Sequence, residues 1–520
     1  MVREPSGDAW GNLTRSQSIG APPSADRREA RNPIDQMIQR IRELEAVSRL
    51  LAPDESARAE ARDRVVAYTE AFYARLPHAK GYEIGKEAAR EIRDFPIEER
   101  GTDLSDLLSL VERTVDTPGI NSASAGHMGY IPGGGIYAAA LGDLIAAVTN
   151  RYAGVRFASP GAVEMEEAAL AWMADLVGFG AGWGGNLTSG GSLANLIGVV
   201  TAREAHGLRA REYERAVVYS TSQVHHCIDK ALRVAGMADA IRREVGIDTR
   251  HRMDPEALAR AVDADRVAGL NPWMVVASAG TTDVGAVDPL SEVGALARAE
   301  GLWYHVDAAY GGFFALCEDV ASSLRGMELA DSVVLDPHKG LFLPFGSGAV
   351  LVKDKAALYR AHDYQAHYMQ DAVSEQTVAL ASPGDLSPEF SKHFRGPRLW
   401  LPLKLYGVAP FRACLEEKLL LTRYFYEEVQ KLGFEVGPEP DLSVAIYRWV
   451  PATGDADAFN ERLLAALHED GRIFVSSTRI NGHFVLRAAI LSYRTRLEHV
   501  QLLLEILKEK VAMLEGMERG

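Results

Sequence analysis

Apolar residues recur at helical spacing near the start of the chain, where Ile34, Met37, Ile38, Ile41 and Leu44 share one face. A second helix is predicted from Glu55 to Leu76, behind Pro53. The pattern changes in the middle of the chain. Helical stretches at Met165–Val177, Ser192–His206, Asp254–Val262 and Leu290–Glu300 are interleaved with short runs at Ala216–Tyr219, Trp273–Ala277, Leu302–Val306 and Ser332–Leu335. Those runs are β-branched or aromatic and apolar on both faces, as buried, mostly parallel strands are. They predict an α/β domain with a doubly wound sheet. Past Trp400 the pattern shifts again: a long helix over Leu401–Gln430, strands at Val444–Trp449 and His483–Ala489, and a closing amphipathic helix over Leu497–Met513. The predicted organisation is a disordered tail (1–33), a helical arm or dimer segment (34–110), a large α/β domain (111–400) and a small α+β domain (401–520).

Composition narrows the function classes. A chain of 520 residues with 47% hydrophobic content buries a large core and exceeds one ordinary domain. The net charge of -15, with acidic residues spread along the chain, argues against nucleic acid, which needs basic stripes. Cys227, Cys317 and Cys414 form no CxxC pair, so neither a metal site nor a disulfide framework is expected. Three free thiols fit a reducing cytoplasm. The chain shows no long apolar run to span a bilayer and no apolar signal-peptide core, so no membrane partner is expected.

The polar residues that follow the predicted strands carry the chemistry. In open α/β sheets ligands bind beyond the carboxyl ends of the strands. Ala216–Tyr219 is followed by STSQVHH, with His225 and His226; Trp273–Ala277 by SAGTTD, with Thr281 and Thr282. Leu302–Val306 runs into DAAYGG, opening with Asp307, and Ser332–Leu335 into DPHKG, with His338 and Lys339. Four strand ends thus deliver imidazole, hydroxyl, carboxylate and amine groups to one edge. A further segment, GGNLTSGGSLANL (184–196), reads as a glycine-rich loop before a helix. Its amides and the helix N-terminus suit a phosphate; the blander reading is a glycine turn capped by Ser192.

Each residue has a competing structural reading. Asp307 would be a helix N-cap, or the partner of a protonated ring nitrogen. Lys339 lies between two apolar runs, so it is either snorkelling or desolvated, and desolvation makes an amine nucleophilic. His225 is either a satisfied buried histidine or a ring that stacks on a cofactor; His226 is expected to point away. Together, a lysine for an aldehyde, an aspartate for a pyridine nitrogen, an anion-binding helix end and a flat stacking residue form the set that pyridoxal phosphate requires.

The segments SVVLDPHKG, YHVDAAYGG, LTSGGSLANL, TSQVHHCIDKAL and HFRGPRLWLPLKLYG resemble the group II PLP-dependent amino-acid decarboxylases, the family of aromatic-amino-acid, glutamate and histidine decarboxylases. The resemblance runs from about residue 60 to the C-terminus, and its most specific pair is HVDAAYGG with DPHKG. It implies a PLP-dependent transferase fold of type I, like aspartate aminotransferase, and a homodimer with active sites at the subunit interface. It also implies that Lys339 forms an imine with the cofactor, that Asp307 pairs with the pyridine nitrogen and that Thr282 supports Asp307. His225 would stack on the ring and assist catalysis, and Ala309 would lie against the other face. Gly191, Ser192 and His338 would sit near the phosphate or the imine. The family's mobile-loop tyrosine, which protonates the carbon left by carbon dioxide, corresponds by spacing to Tyr368, with Tyr364 as the fallback. In plant relatives a phenylalanine there accompanies aldehyde synthesis.

The expected activity is decarboxylation of an L-amino acid, aromatic by resemblance. Arg156 stands where the animal aromatic enzymes have an aromatic residue, which keeps an acidic substrate such as glutamate or aspartate open. An aldehyde synthase, an aminotransferase or desulfurase on the same fold, and a non-catalytic scaffold are the competing functions.

Overall fold

The computed structural model describes residues 32–363 and 381–519, residue 86 excepted. By its internal contacts the chain divides between Thr69 and Glu70. In the first unit, helix α1 (Pro33–Ser48) is capped by Asn32, whose side chain accepts the Ile34 N–H at 3.1 Å. No α1 side chain is buried, so its apolar stripe faces outward. Helix α2 (Glu55–Arg75) runs from this unit into the next. The predicted tail lies outside the described residues except for Asn32 and Pro33.

Beside a two-stranded antiparallel ladder of Tyr82–Glu83 with Gly119–Ile120, the second unit contains two larger sheets. The larger has seven strands: β1 (Gly184–Thr188), β2 (Ala216–Ser220), β3 (Ile241–Glu244), β4 (Asn271–Ser278), β5 (Trp303–Asp307), β6 (Ser332–Leu335) and β7 (Gly348–Val352). Their order across the sheet is β1-β7-β6-β5-β4-β2-β3. The pairs from β6 through β3 are parallel, while β7 runs antiparallel to both β6 and β1. Helices cover both faces, which is why the strands read as continuous apolar runs. Val275 and Ala277 pack toward α4 (Pro160–Val177), α7 (Pro255–Val267) and α8 (Leu290–Glu300). Met274 and Val276 pack toward α5 (Gly191–Ala205), α6 (Cys227–Val234) and α9 (Lys355–His362). Each fully buried branched or aromatic side chain contributes about 1.5–3 kcal/mol by leaving water. Helix α3 (Tyr137–Thr149) packs with α4 on α10 (Gly396–Tyr406).

Three expectations change. Gly184–Thr188 is a strand rather than loop: it pairs with β7 in the register Gly184↔Val352 to Thr188↔Gly348, and a side chain at Gly185 would meet the Val350 carbonyl at 2.6 Å. The edge strand β3 and the antiparallel strand β7 also lay outside the predicted set. The predicted helix Leu401–Gln430 is two helices, α10 and α11 (Ala409–Lys431), because the chain turns at Gly407 with φ 69°.

The smaller sheet is antiparallel, with strands β8 (Glu435–Val436), β9 (Val444–Arg448), β10 (Ser476–Ile480) and β11 (His483–Ala489) in the order β8-β9-β11-β10. Its inner face packs on α11, α12 (Ala456–Asp470) and α13 (Leu497–Arg519) through Phe425, Val429, Phe459, Leu463, Leu503 and Leu507.

Candidate active site

Five strand ends of the larger sheet open on one cavity of about 340 Å³, within the range of ligand pockets. β1 leads to Ser189–Ser192, β2 to His225 and Cys227, and β4 to Gly280, Thr281 and Thr282. β5 delivers Asp307, Ala309 and Tyr310; β6 delivers Asp336, His338 and Lys339. The parallel run makes this convergence unavoidable, because it puts the carboxyl ends on one edge. The predicted residues Lys339, Asp307, His225, Ala309, Thr282, Gly191, Ser192 and His338 all line this cavity.

The phosphate-like end is built at the start of α5. Gly190 is the N-cap, with φ 152°, and no side chain caps the helix. Ser192 therefore does not cap it, and the first-turn amides are left for another acceptor. Only glycine fits there: a side chain at Gly191 would fall 2.8 Å from Asp336 Oδ2 and 3.3 Å from Ala309 Cβ. His338 lies beside this turn. Its Nδ1 sits 2.5 Å from the Ser347 carbonyl oxygen and its Nε2 3.7 Å from Asp336 Oδ2. Burial pushes the His338 imidazole below its ordinary value.

The amine of Lys339 lies 3.3 Å from Asp336 Oδ2. Asp336, three residues before the lysine, is fully buried, and its other oxygen has no hydrogen-bond partner among the described residues. Burial pushes its carboxyl up, against the opposing pull of Lys339 and His338. Sequence reasoning misses this carboxylate, although its position one helical turn before the lysine was a usable signal.

Asp307 is gripped by two N–H donors: Asn195 Nδ2 reaches Oδ2 at 3.1 Å and the Ala309 amide reaches Oδ1 at 3.2 Å. Among the described residues the side-chain donor to Asp307 is Asn195. Thr282 lines the same cavity, and its carbonyl accepts a hydrogen bond from the Arg487 guanidinium. Arg487 also donates to the Asp283 carbonyl at 2.8 Å and to Ser476 Oγ at 2.7 Å. A side chain of the smaller sheet thus holds a loop of the site.

His225 is half-buried, and burial lowers its imidazole, with Asp307 opposing. Its Nδ1 accepts the Cys227 amide at 3.3 Å, which leaves Nε2 as the N–H of the neutral ring. His226 is exposed and does not line the cavity, while its ring lies 4.1 Å from that of His225 between centroids. Arg156 is absent from the cavity lining. It pairs with Glu164 and, at 2.6 Å, with Glu167. Tyr368 and Tyr364 lie outside the described residues.

The site accommodates pyridoxal phosphate on three observations: an uncapped helix start behind a glycine-only turn, a lysine in the cavity, and a buried carboxylate held by N–H donors at its other end. The model of the pyridoxal-dependent decarboxylase conserved domain matches residues 87–449. An aromatic-L-amino-acid decarboxylase of Bacillus atrophaeus is 30% identical over 425 residues, covering 80% of this chain and 88% of that protein. A phenylacetaldehyde synthase of Arabidopsis thaliana is 30% identical over 412 residues, 76% of this chain and 84% of that one. The crystal structure of Oryza sativa TDC with PLP and tryptamine superposes with a TM-score of 0.83 at 26% identity, over 89% of this chain and 99% of that one.

Proposed function

Because this chain belongs to the pyridoxal-dependent decarboxylase family, we propose that it converts an aromatic L-amino acid to the corresponding amine and carbon dioxide, with one proton taken up at the α-carbon. The observation that carries this reading is the single cavity in which Lys339, Asp307 and the uncapped start of α5 meet. Bound pyridoxal phosphate supplies the electron sink for the pair left behind when the bond from the α-carbon to the carboxylate breaks.

This chain's residues hold and orient. Lys339 is the covalent anchor for the cofactor's aldehyde. The amides of Gly191 and Ser192, with His338, would hold the phosphate, and Asp307 would pair with the ring nitrogen. His225 and Ala309 would flank the ring, and Thr282 lines the same cavity. Together they set the angle at which the scissile bond stands to the ring, and such positioning is worth several kcal/mol, ~7–11 in well-oriented systems. Tyr368, or Tyr364, is the proton donor to the α-carbon, with His225 assisting.

Arg156 favours the aromatic over the acidic reading. Its guanidinium is neutralised by Glu164 and Glu167, and among the described residues no arginine lines the cavity. The test is a panel of amino acids scored for carbon dioxide and amine. Tyrosine, tryptophan or phenylalanine should turn over fastest; glutamate or aspartate leading the panel would overturn the substrate assignment.

The working unit is a homodimer with the site at the subunit interface. α1 exposes Ile34, Met37, Ile41 and Leu44, α3 exposes Leu144, Ile145 and Val148, and Phe345, 62% exposed, stands against the His338 ring. On each unit taken by itself, exposed apolar side chains grouped in this way support an interaction face. Light scattering should give twice the chain mass of 56.6 kDa. No helix among the described residues is long and apolar enough to cross a membrane, and Cys227, Cys317 and Cys414 are unpaired, which suits a reducing cytoplasm.

A further inference from the structure

Behind Asp307 lies a line of buried polar groups that the reaction itself does not use. The period of two along β5 puts Trp303, His305 and Asp307 on one face, toward α5. Trp303 Nε1 donates to Ser332 Oγ at 2.8 Å, and Ser332 Oγ lies 2.7 Å from His305 Nδ1. His305 Nε2 lies 2.7 Å from Asn195 Oδ1, and Asn195 Nδ2 donates to Asp307 Oδ2 at 3.1 Å. Asn195, His305 and Ser332 have no exposed surface.

Chemistry fixes every hydrogen in this line. An indole N–H can only donate, so Ser332 accepts from Trp303. Asn195 must turn its amide nitrogen to the carboxylate, so its oxygen faces His305, whose Nε2 therefore carries a hydrogen. Burial lowers His305 to about 4, so the ring is neutral and Nδ1 accepts the Ser332 hydroxyl. The donors run one way, from Trp303 through Ser332, His305 and Asn195 to Asp307. Room for it is built in: a side chain at Gly198 would come within 2.8 Å of His305 Cε1. Gly191, Asn195 and Gly198, at i, i+4 and i+7, share one face of α5.

We propose that Asn195, backed by His305, Ser332 and Trp303, is the positioning residue that fixes the Asp307 carboxylate opposite the cofactor's ring nitrogen. Helix α5 then sets both ends of the cofactor, the phosphate at its first turn and the ring-nitrogen partner one turn further on. This rests on the assignment of Asp307 to that nitrogen under Proposed function.

The test compares pyridoxal phosphate with its 1-deaza analogue, in which the ring nitrogen is replaced by a C–H, bound to apoenzyme and followed by absorbance. Wild type should prefer pyridoxal phosphate, and Asn195→Leu should cut that preference by about tenfold, the worth of a hydrogen bond to a charged group. His305→Gln, which keeps a donor for Asn195, should stay near wild type, while His305→Leu should follow Asn195→Leu. That second pair decides the matter if Asn195→Leu does not fold. Equal weakening of both ligands in Asn195→Leu, or equal behaviour of His305→Gln and His305→Leu, overturns the proposal as mere packing. Wild type that binds both ligands alike removes the Asp307 assignment itself, and a Lys339→Ala variant that keeps the lysine-linked visible band removes the wider reading.

Discussion

The two larger sheets of the second unit solve opposite problems. The larger is mostly parallel and covered on both faces, so the carboxyl ends of its parallel strands lie on one edge, and that edge carries Lys339, Asp307, His225 and the start of α5. The smaller is antiparallel, buries one face against α11, α12 and α13, and alternates its strand ends. It cannot gather a site in the same way. What it contributes is reach: Arg487, in β11, grips the carbonyls of Thr282 and Asp283, and Ser443, just before β9, holds the Tyr310 hydroxyl. Parallel strands concentrate chemistry, and the antiparallel layer braces it.

This contrast breaks first at Lys339. Lys339→Ala removes the proposed covalent anchor and leaves Asp336 without its cation, so the visible cofactor band and turnover should both vanish, by at least about a thousandfold in rate. Absorbance and carbon dioxide release check it; a fully active variant would sink the assignment. Next in size is Tyr368→Phe. Without the proposed phenolic proton at the α-carbon, dissolved dioxygen should take up the two electrons instead and water should release the nitrogen, so product should move from amine toward aldehyde, ammonia and hydrogen peroxide, with amine becoming the minor product. An unchanged amine yield would transfer the proton donor's role to Tyr364 or His225.

The same contrast explains what could be read from the chain. Ser332–Leu335, Leu290–Glu300 and His483–Ala489 appear as predicted, because each is an apolar run or amphipathic stretch bounded by sharp polar breaks. The site edge was legible for the same reason: apolar strands end in Asp307 and in DPHKG, where a buried charge needs a purpose. β1 was illegible, since Gly-Gly-Asn-Leu-Thr has little β propensity and becomes a strand only through β7, more than 150 residues on. The break at Gly407 hides in an otherwise helical pattern. Asn195 could not be assigned from its neighbours in sequence, because its meaning comes from His305 and Asp307 on another element. The i, i+4 step from Gly191 was the available signal.

Arg487→Met tests the brace. The methionine keeps much of the apolar stem and loses the hydrogen bonds to Thr282, Asp283 and Ser476, so two half-buried carbonyls and one buried hydroxyl lose this donor. The expected result is about a tenfold loss in kcat/KM from a looser Thr281–Thr282 wall, together with about 1–3 kcal/mol of stability. An undiminished rate with lowered stability would confine Arg487 to holding the two sheets together.

Arg156→Met is the smallest and sharpest test. Arg156 sits at the start of the α4 region rather than at a strand end, and its charge is spent on Glu164 and Glu167. Both partners keep contact with solvent, so the pairs are worth about 1 kcal/mol or less. Turnover of an aromatic substrate should therefore stay within about twofold, and thermal stability should fall slightly. If glutamate or aspartate turnover collapses while aromatic turnover holds, the guanidinium does reach the substrate, and the rule that strand ends alone dictate the chemistry of this site fails at that residue.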